Sequence, residues 1–283
     1  RGRHGPHRAA PLPAMPAVLG REGAGVVEAV GPGVSEVKAG QRVAYSGGPT
    51  GAYAEAQTIP ADRLIALPEG IDDRTAAAMM LKGLTVRNLI LRTHRVAPGE
   101  AILVHAAAGG VGLILCQWAK QLGATVIGTV GSDEKAALAD ACGCDHTIVY
   151  TREDFVARVR EITSGEGVAV VYDSVGKATY PGSLDCLRPM GLMVSFGAAS
   201  GPIPPVEPDL LSAKGSLFFN RHANLFYTRK REDLVASAED LFAVVAAGQV
   251  RIHLTRTYAL EDAARAHRDL KGRKTTGSSI FVP

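Results

Sequence analysis

The sequence predicts an α/β protein whose larger part is a doubly wound parallel sheet. Two observations carry this. Apolar runs without polar alternation recur as AILVH at 101–105, ATVIGTV at 124–130 and VAVVYDSV at 168–175. Strands buried on both faces read this way, and a sheet covered on both faces is parallel. Stretches of helical spacing separate these runs, and regular β–α alternation winds such a sheet from both sides. Length adds a third point, because a single core rarely grows to 283 residues and two domains are expected.

From 18 to 60 the pattern is short, valine-rich and broken by Gly and Pro, as in GVVEAVGPGV and QRVAYSGG, so this part is β-like. From 72 to 92 it turns helical, with acids in the first turn of DDRTAAAMM and apolar residues spaced by three and four in LTVRNLILR. After VAPGE, strands are expected at 101–105, 125–129, 146–150, 168–173, 192–196 and 216–219. Helices are expected at 110–122, 133–142, 153–163, 177–187 and 231–247. GPIPPVEP reads as an extended surface connection, and the tail from 251 as strand, amphipathic helix and strand returning to the first domain.

The turn between the first of these strands and its helix carries the chemistry. Dinucleotide sites use G-x-G-x-x-G after a strand and opening a helix. Here the six residues are Ala107, Ala108, Gly109, Gly110, Val111 and Gly112, with alanine in the first glycine position. Gly109 lets the backbone approach a pyrophosphate, and Gly112 lets the helix pack closely on the strand. The helix N-terminus adds N–H groups and partial positive charge. His105 reads as a strand-end residue, and Cys116 and Trp118 as packing residues.

The second strand ends in VGSDEK, and sites for NAD place an acid at that tip, roughly 20 residues on. Val130, Gly131 and Ser132 are not acidic, and Asp133 and Glu134 fall where acids favour a helix's first turn. Lys135 beside an open Gly131–Ser132 suits a 2′-phosphate, so NADPH is favoured over NADH.

Composition excludes several classes. The net charge of +3 is spread along the chain, without the basic block of a nucleic-acid footprint. No apolar run approaches the roughly 18 residues that span a bilayer, and the first residues lack the apolar core of a secretory signal. Four cysteines in a chain this long are expected to be free, buried thiols of a reduced, cytoplasmic protein. Neither cysteines nor histidines show zinc-ligand spacing.

HAAAGGVG, GREGAGVVEAVGPGV, LKGLT, VVYDSVG and MVSFG together resemble the zinc-free NADPH:quinone oxidoreductases, the ζ-crystallin-like branch of the medium-chain dehydrogenase/reductase superfamily. The resemblance runs from about Leu12 to Pro283. It implies a Rossmann domain over 93–250 and a GroES-like substrate domain over 1–92, completed by 251–283. Relatives carry a further strand-rich segment before the region matching PLPAMPAVLG, so the substrate domain is expected to be N-terminally truncated, with an unpaired edge or exposed apolar face. Zinc-dependent members read G-H-E-x-x-G where this chain reads GREGAG, so Arg21 stands at the position of a zinc-binding histidine and no metal is expected.

The resemblance also implies site residues. Ala108 to Gly112 would hold the pyrophosphate; Gly131, Ser132 and Lys135 would contact the adenosine phosphate; Tyr150 would flank the adenine, or alternatively cover the core. Ser174, Phe196 and Gly197 would line the cleft at strand ends, Thr85 would reach the nicotinamide amide, and Arg273 would reach the cofactor from the tail, or form a solvated loop. Lys82 and Thr85 are expected at the start of a helix, and Tyr45, Lys82, Thr85 or water are the candidate proton donors, with no catalytic residue assigned. Asn220, Arg221 and His222 are expected to alter the pocket floor.

The expected activity is NADPH-dependent reduction of a quinone, which needs chiefly proximity and a shielded apolar slot. Reduction of an enone or alkenal double bond is the neighbouring reading, and a non-catalytic NADPH- or RNA-binding protein the third. A homodimer is expected, paired through the sheet edge near 214–219.

Overall fold

The computed structural model describes residues 16–272 and 275–283. Three strands open it: β1 (Glu22–Val26), β2 (Arg42–Ser46) and β3 (Ile65–Ala66), antiparallel in the order β1-β2-β3. Val37, Val43, Tyr45 and Leu64 fill a small core on one side, and Ala44 joins the main core on the other.

Helix α1 (Asp73–Asn88) starts where Asp72 accepts the Thr75 N–H at 2.9 Å, a side-chain cap that satisfies one orphan donor of the first turn. Ala76, Met79, Met80 and Leu84 give it a buried face. A wider turn, Leu89–Thr93, ends it. Lys82 and Thr85 therefore lie in the middle of α1, not at a helix start; the cap is ten residues upstream of Lys82.

The large sheet follows. In chain order its elements are β4 (Ala101–His105), α2 (Gly110–Gln121), β5 (Thr125–Val130), α3 (Asp133–Ala141), β6 (His146–Val149), α4 (Phe155–Ile162) and β7 (Val168–Asp173). Then come α5 (Tyr180–Asp185), β8 (Leu187–Ser195), α6 (Pro208–Ala213), β9 (Phe218–Arg221), α7 (Asn224–Tyr227) and α8 (Arg231–Ala246). The strands are all parallel in the order β6-β5-β4-β7-β8-β9. Strand order reverses between β4 and β7, and ligands of such sheets bind in the crevice outside the carboxyl ends at that point.

Both faces are covered, which explains the continuous apolar runs. Ile102, Val104, Val126 and Val170 pack under α1, α2 and α8 with Leu113, Leu234 and Leu241. Their neighbours Leu103, Ile127 and Val171 point the other way, to Val159 and Leu184 of α4 and α5.

Four expectations shift. The helix expected at 177–187 shrinks to Tyr180–Asp185, and the strand expected at 192–196 begins at Leu187. RPMG reads as a turn, with Met190 left-handed at φ 59°. The sheet absorbs it as a bulge, because Val168 pairs with Leu187 while Val170 pairs with Leu192. The edge strand expected at 216–219 is Phe218–Arg221, since Gly215 and Ser216 take positive φ just before it. The third strand stops at Val149, one residue before Tyr150. Short helices α6 and α7 were not expected; six and four residues are too few to show a period.

The tail forms β10 (Leu254–Ala259), α9 (Ala263–Lys271) and β11 (Ser278–Val282), with β10 and β11 parallel. It packs against the first strands: the Tyr53 ring meets Phe281 edge-on at 4.6 Å between centroids, and the Ser278 hydroxyl donates to the Ala78 carbonyl at 2.9 Å. Arg63 donates to the carbonyls of Thr228 and Arg229, and Arg231 to those of Ala61, Asp62 and Leu64. These bonds tie the amino-terminal segment to α8. All four cysteines are buried and free of disulfides; Cys144 and Cys116 are hydrogen-bonded to each other and Cys142 to His253.

Candidate active site

At the end of β4 the chain must turn sharply into α2. Ala106 does so with φ 55°, and its carbonyl accepts the Gly109 N–H at 2.9 Å. A Cβ on Gly112 would lie 2.4 Å from the Ala106 oxygen and 2.5 Å from that of Ala107, so only glycine lets α2 start this close to β4. The first-turn amides of Gly110, Val111 and Gly112 have no intrahelical acceptor and face the switch-point crevice with the helix dipole behind them. Alanine is accommodated at position 107 because Gly128 on β5 faces it: a Cβ there would stand 2.8 Å from the Ala107 methyl. The turn is walled from both sides. A Cβ on Gly110 would meet Lys82 Cδ at 2.8 Å and the Gly277 carbonyl at 2.9 Å, and Gly277 N–H donates to the Ala108 oxygen at 3.3 Å.

A buried polar network lies beneath. His105 Nδ1 meets Thr129 Oγ1 at 2.8 Å and Nε2 meets Ser183 Oγ at 3.0 Å. Asp173, wholly buried at the end of β7, accepts the Val175 and Gly176 N–H groups at 2.6 and 2.9 Å and the hydroxyls of Thr179 and Ser183 at 2.6 and 3.3 Å. It thus holds the loop after β7 from below. His105 is a core residue, and burial pushes its imidazole down to about 4 against the opposing pull of Asp173. His222, stacked on Tyr227 at 4.5 Å, is likewise pushed down to about 4 by burial and then by Arg221.

Both imidazoles are held neutral in the fold but take up a proton near pH 6.5 once unfolded. Between about pH 6.5 and pH 4 the unfolded chain binds more protons, so stability falls as pH drops through this window. From pH 7 to pH 5 each costs about 2 kcal/mol. Denaturant midpoints at the two pH values check this, and an unchanged midpoint contradicts it.

Beyond the tips of β5 and β6, Tyr150 lies half-exposed with its hydroxyl over Gly131, 2.8 Å from where a Cβ would stand. Gly131 and Tyr150 therefore share one surface, with the Tyr150 ring half-exposed rather than sealed into the core. Ser132 caps α3 by accepting the Lys135 N–H at 3.4 Å. Asp133 is gripped by Arg152 through two parallel bonds of 2.8 and 2.6 Å, and the Ser132 hydroxyl, then its own backbone N–H, hold the Glu134 carboxyl below its usual range.

At the other end of the crevice, Ser174 and Gly197 touch: a Cβ on Gly197 would lie 2.5 Å from the Ser174 oxygen. Phe196 N–H donates to the Asp173 carbonyl at 2.9 Å. Arg221 donates to Ser195 Oγ at 3.1 Å and to the Gly197 oxygen at 3.4 Å, and Asn220 Oδ1 is buried without a partner. Thr85 gives its hydroxyl back to its own helix, to the Leu81 oxygen at 2.7 Å. Tyr45 is a core residue in van der Waals contact with Gly23, its phenol raised by burial and then by Glu22. Lys82 forms a 3.2 Å ion pair with Glu22, which also accepts the Leu81 N–H at 2.8 Å. Arg273 lies outside the described residues.

Sequence reasoning missed Gly277 and the Arg152–Asp133 pair, and did not single out Asp173. Only Asp173 carried a usable signal, an acid ending an apolar strand before SVG. Among the described residues, no group of three His, Cys, Asp or Glu side chains is placed to hold a metal ion.

A glycine-walled pyrophosphate turn at a switch point, beside a small β-rich unit, defines a dinucleotide-dependent dehydrogenase of the medium-chain type. Sequence profiles agree: one described as "Alcohol dehydrogenase GroES-like domain" matches residues 2–69 and one described as "Zinc-binding dehydrogenase" matches 110–242. Quinone oxidoreductase of Pseudomonas aeruginosa is 51% identical over 273 residues, covering 96% of this chain and 84% of its own. The 2-haloacrylate reductase of a Burkholderia species is 46% identical over 271 residues, covering 95% and 81%. The crystal structure of Escherichia coli quinone oxidoreductase complexed with NADPH superposes with a TM-score of 0.94 at 48% identity, covering 96% of this chain and 84% of that one. The chain belongs to the quinone oxidoreductase family of the medium-chain dehydrogenase/reductase superfamily.

Proposed function

We propose that the chain is a zinc-independent NADPH:quinone reductase. The observation that carries this reading is the cradle at Gly109–Gly112, walled by Lys82 and Gly277 at the carboxyl ends of the parallel strands. The residues present fit the cofactor. Side-chain-free positions occur where a backbone must approach, at Gly110 and Gly131, and both acids near the adenosine end are engaged by neighbours. The E. coli relative is known as an NADPH complex, which supports the same cofactor.

When bound, NADPH supplies the hydride. The protein's part would be to hold the pyrophosphate on the α2 amides and the adenosine against the surface made by Gly131 and Tyr150, with Ser174 and Gly197 beside the reactive ring. Arg21 replaces a metal-binding histidine and cannot ligate zinc; its guanidinium donates to the Gly48 carbonyl at 3.4 Å. A quinone suits such a site because its reduced form is aromatic and needs no Lewis acid to stabilise an alkoxide. Water supplies the proton, since Tyr45 is packed, Thr85 is bonded to its own helix and Lys82 is paired.

The likeness to a 2-haloacrylate reductase supports a second reading, reduction of an electron-poor carbon–carbon double bond. A homodimer fits the edge strand β9, where Phe218 and nearby Met190 are 60% and 66% exposed. A reducing compartment, the cytoplasm, fits four thiols free of disulfides. No helix among the described residues is long and apolar enough to cross a membrane.

Steady-state oxidation of NADPH separates the acceptors. Quinone turnover well above that with α,β-unsaturated acids and aldehydes supports the first reading, and the reverse order supports the second. NADPH binding without turnover of either class contradicts both.

A further inference from the structure

We propose that the Arg152–Asp133 pair is a cofactor-selecting device of this chain, in which Arg152 both disarms an acid that would favour NADH and offers a guanidinium to the 2′-phosphate of NADPH. The inference rests on the NADPH reading above.

The tips of β5 and β6 lie side by side, with Tyr150 N–H donating to the Val130 carbonyl at 3.1 Å. Each tip continues into one member of the pair. Asp133 follows Gly131 and Ser132 on one side, and Arg152 follows Tyr150 on the other. Tyr150 and Gly131, which share the proposed adenosine surface, are thus flanked by both charges.

An acid at the β5 tip is what an NAD site uses, because its carboxylate accepts both ribose hydroxyls. Here both oxygens of Asp133 are taken, Oδ2 by Nη1 at 2.8 Å and Oδ1 by Nη2 at 2.6 Å. The next acid, Glu134, is bound by Ser132. Each oxygen of Asp133 already accepts a charged N–H, and the charge that would repel a phosphate is matched by Arg152. A guanidinium carries five N–H donors, and the fork to Asp133 uses two. The others remain for phosphate oxygens, where bidentate contact is strongest. Lys135, in the first turn of α3 capped by Ser132, adds a second cation at the same tip. Arg152 is therefore a specificity-determining residue, and the side chains of the pair are 57% and 71% exposed, so replacing them leaves the core intact.

The test compares wild type, Arg152→Ala, Arg152→Lys, Asp133→Ala and the double variant Asp133→Ala/Arg152→Ala. Dissociation constants for NADPH and NADH come from fluorescence titration, and kcat/KM for each cofactor from quinone turnover. Adenosine 2′,5′-bisphosphate and 5′-AMP serve as competing probes. Wild type is expected to prefer NADPH. Arg152→Ala should cut the NADPH/NADH ratio about tenfold or more, the loss of one charge-assisted bidentate contact plus an uncovered carboxylate. Arg152→Lys should recover only part, because it keeps the charge but not the fork. The double variant should recover part of the ratio lost in Arg152→Ala, because the repelling acid is gone. Melting temperatures should stay within roughly 2 °C, as for other exposed pairs. A wild-type preference for NADPH with an unchanged ratio in Arg152→Ala overturns this inference alone. A wild-type preference for NADH overturns the cofactor reading and the inference with it.

Discussion

Gly112→Val is expected to lose NADPH binding by on the order of 100-fold or more, because it dismantles the turn rather than removing one contact. The Cβ alone would stand 2.4 and 2.5 Å from two backbone oxygens, of Ala106 and Ala107. Backbone cannot rotate away as a side chain can, so α2 must lift off β4. Overpacking of this kind costs about 1–3 kcal/mol in stability. The larger effect falls on the ligand, since two or three charge-assisted amide bonds, each worth roughly 1.5–3 kcal/mol, lose their aim together. Gly25→Ala is the control: a Cβ there has open space, and cofactor affinity should stay within about twofold. Titration of both variants with NADPH checks the pair. Wild-type affinity in Gly112→Val would show that the amides at this turn do not hold the cofactor.

Asp173→Ala is expected to destabilise the protein by about 2–4 kcal/mol, since each buried donor left without an acceptor costs about 1–3 kcal/mol. It leaves the Val175 and Gly176 N–H groups without their acceptor and takes one acceptor from the hydroxyls of Thr179 and Ser183, which keep the carbonyls of Gly176 and Thr179. In a chain of this size that lowers Tm by roughly 3–7 °C. Asp173→Asn keeps the shape and one acceptor oxygen, so its loss should be about half. Both variants also free the loop that carries Ser174, which faces Gly197 in the crevice. Cofactor affinity should therefore fall with stability in Asp173→Ala even at temperatures where it is fully folded. Thermal melts with and without NADPH read both effects, and an Asp173→Ala protein with wild-type Tm contradicts the account.

The parts of the fold that were legible are those set by local pattern. Runs such as AILVH announced strands buried on both faces, and Leu103 and Val104 do pack against opposite layers. The turn at Gly109–Gly112 was legible because Gly109 and Gly112 are held by contacts within six residues of chain, whereas Gly110 is walled by distant residues. The beginning of β8 was not, because RPMG carries turn chemistry and becomes strand only through pairing with β7. Long-range pairings were equally hidden. Gly128 makes room for Ala107 from 21 residues away, Lys82 reaches Gly110 across the two units, and Gly277 closes the turn from the tail. Asp133 was read as a helix-start acid, and that position is correct. Its partner Arg152, 19 residues on, had no local signature, and that pairing gives the acid its proposed role. Thr85 carries a bond that its sequence position did not announce, donating its hydroxyl to the Leu81 carbonyl of its own helix.

The central claim is that the amides opening α2 hold the diphosphate of NADPH, and a crystal structure of the complex at saturating cofactor tests it most directly. Diphosphate oxygens are expected about 3 Å from the amide nitrogens of Gly110 and Val111, with the adenosine against the surface made by Gly131 and Tyr150. A diphosphate bound elsewhere, or a crevice filled by the side chains of Lys82 and its neighbours with no cofactor in it, contradicts it.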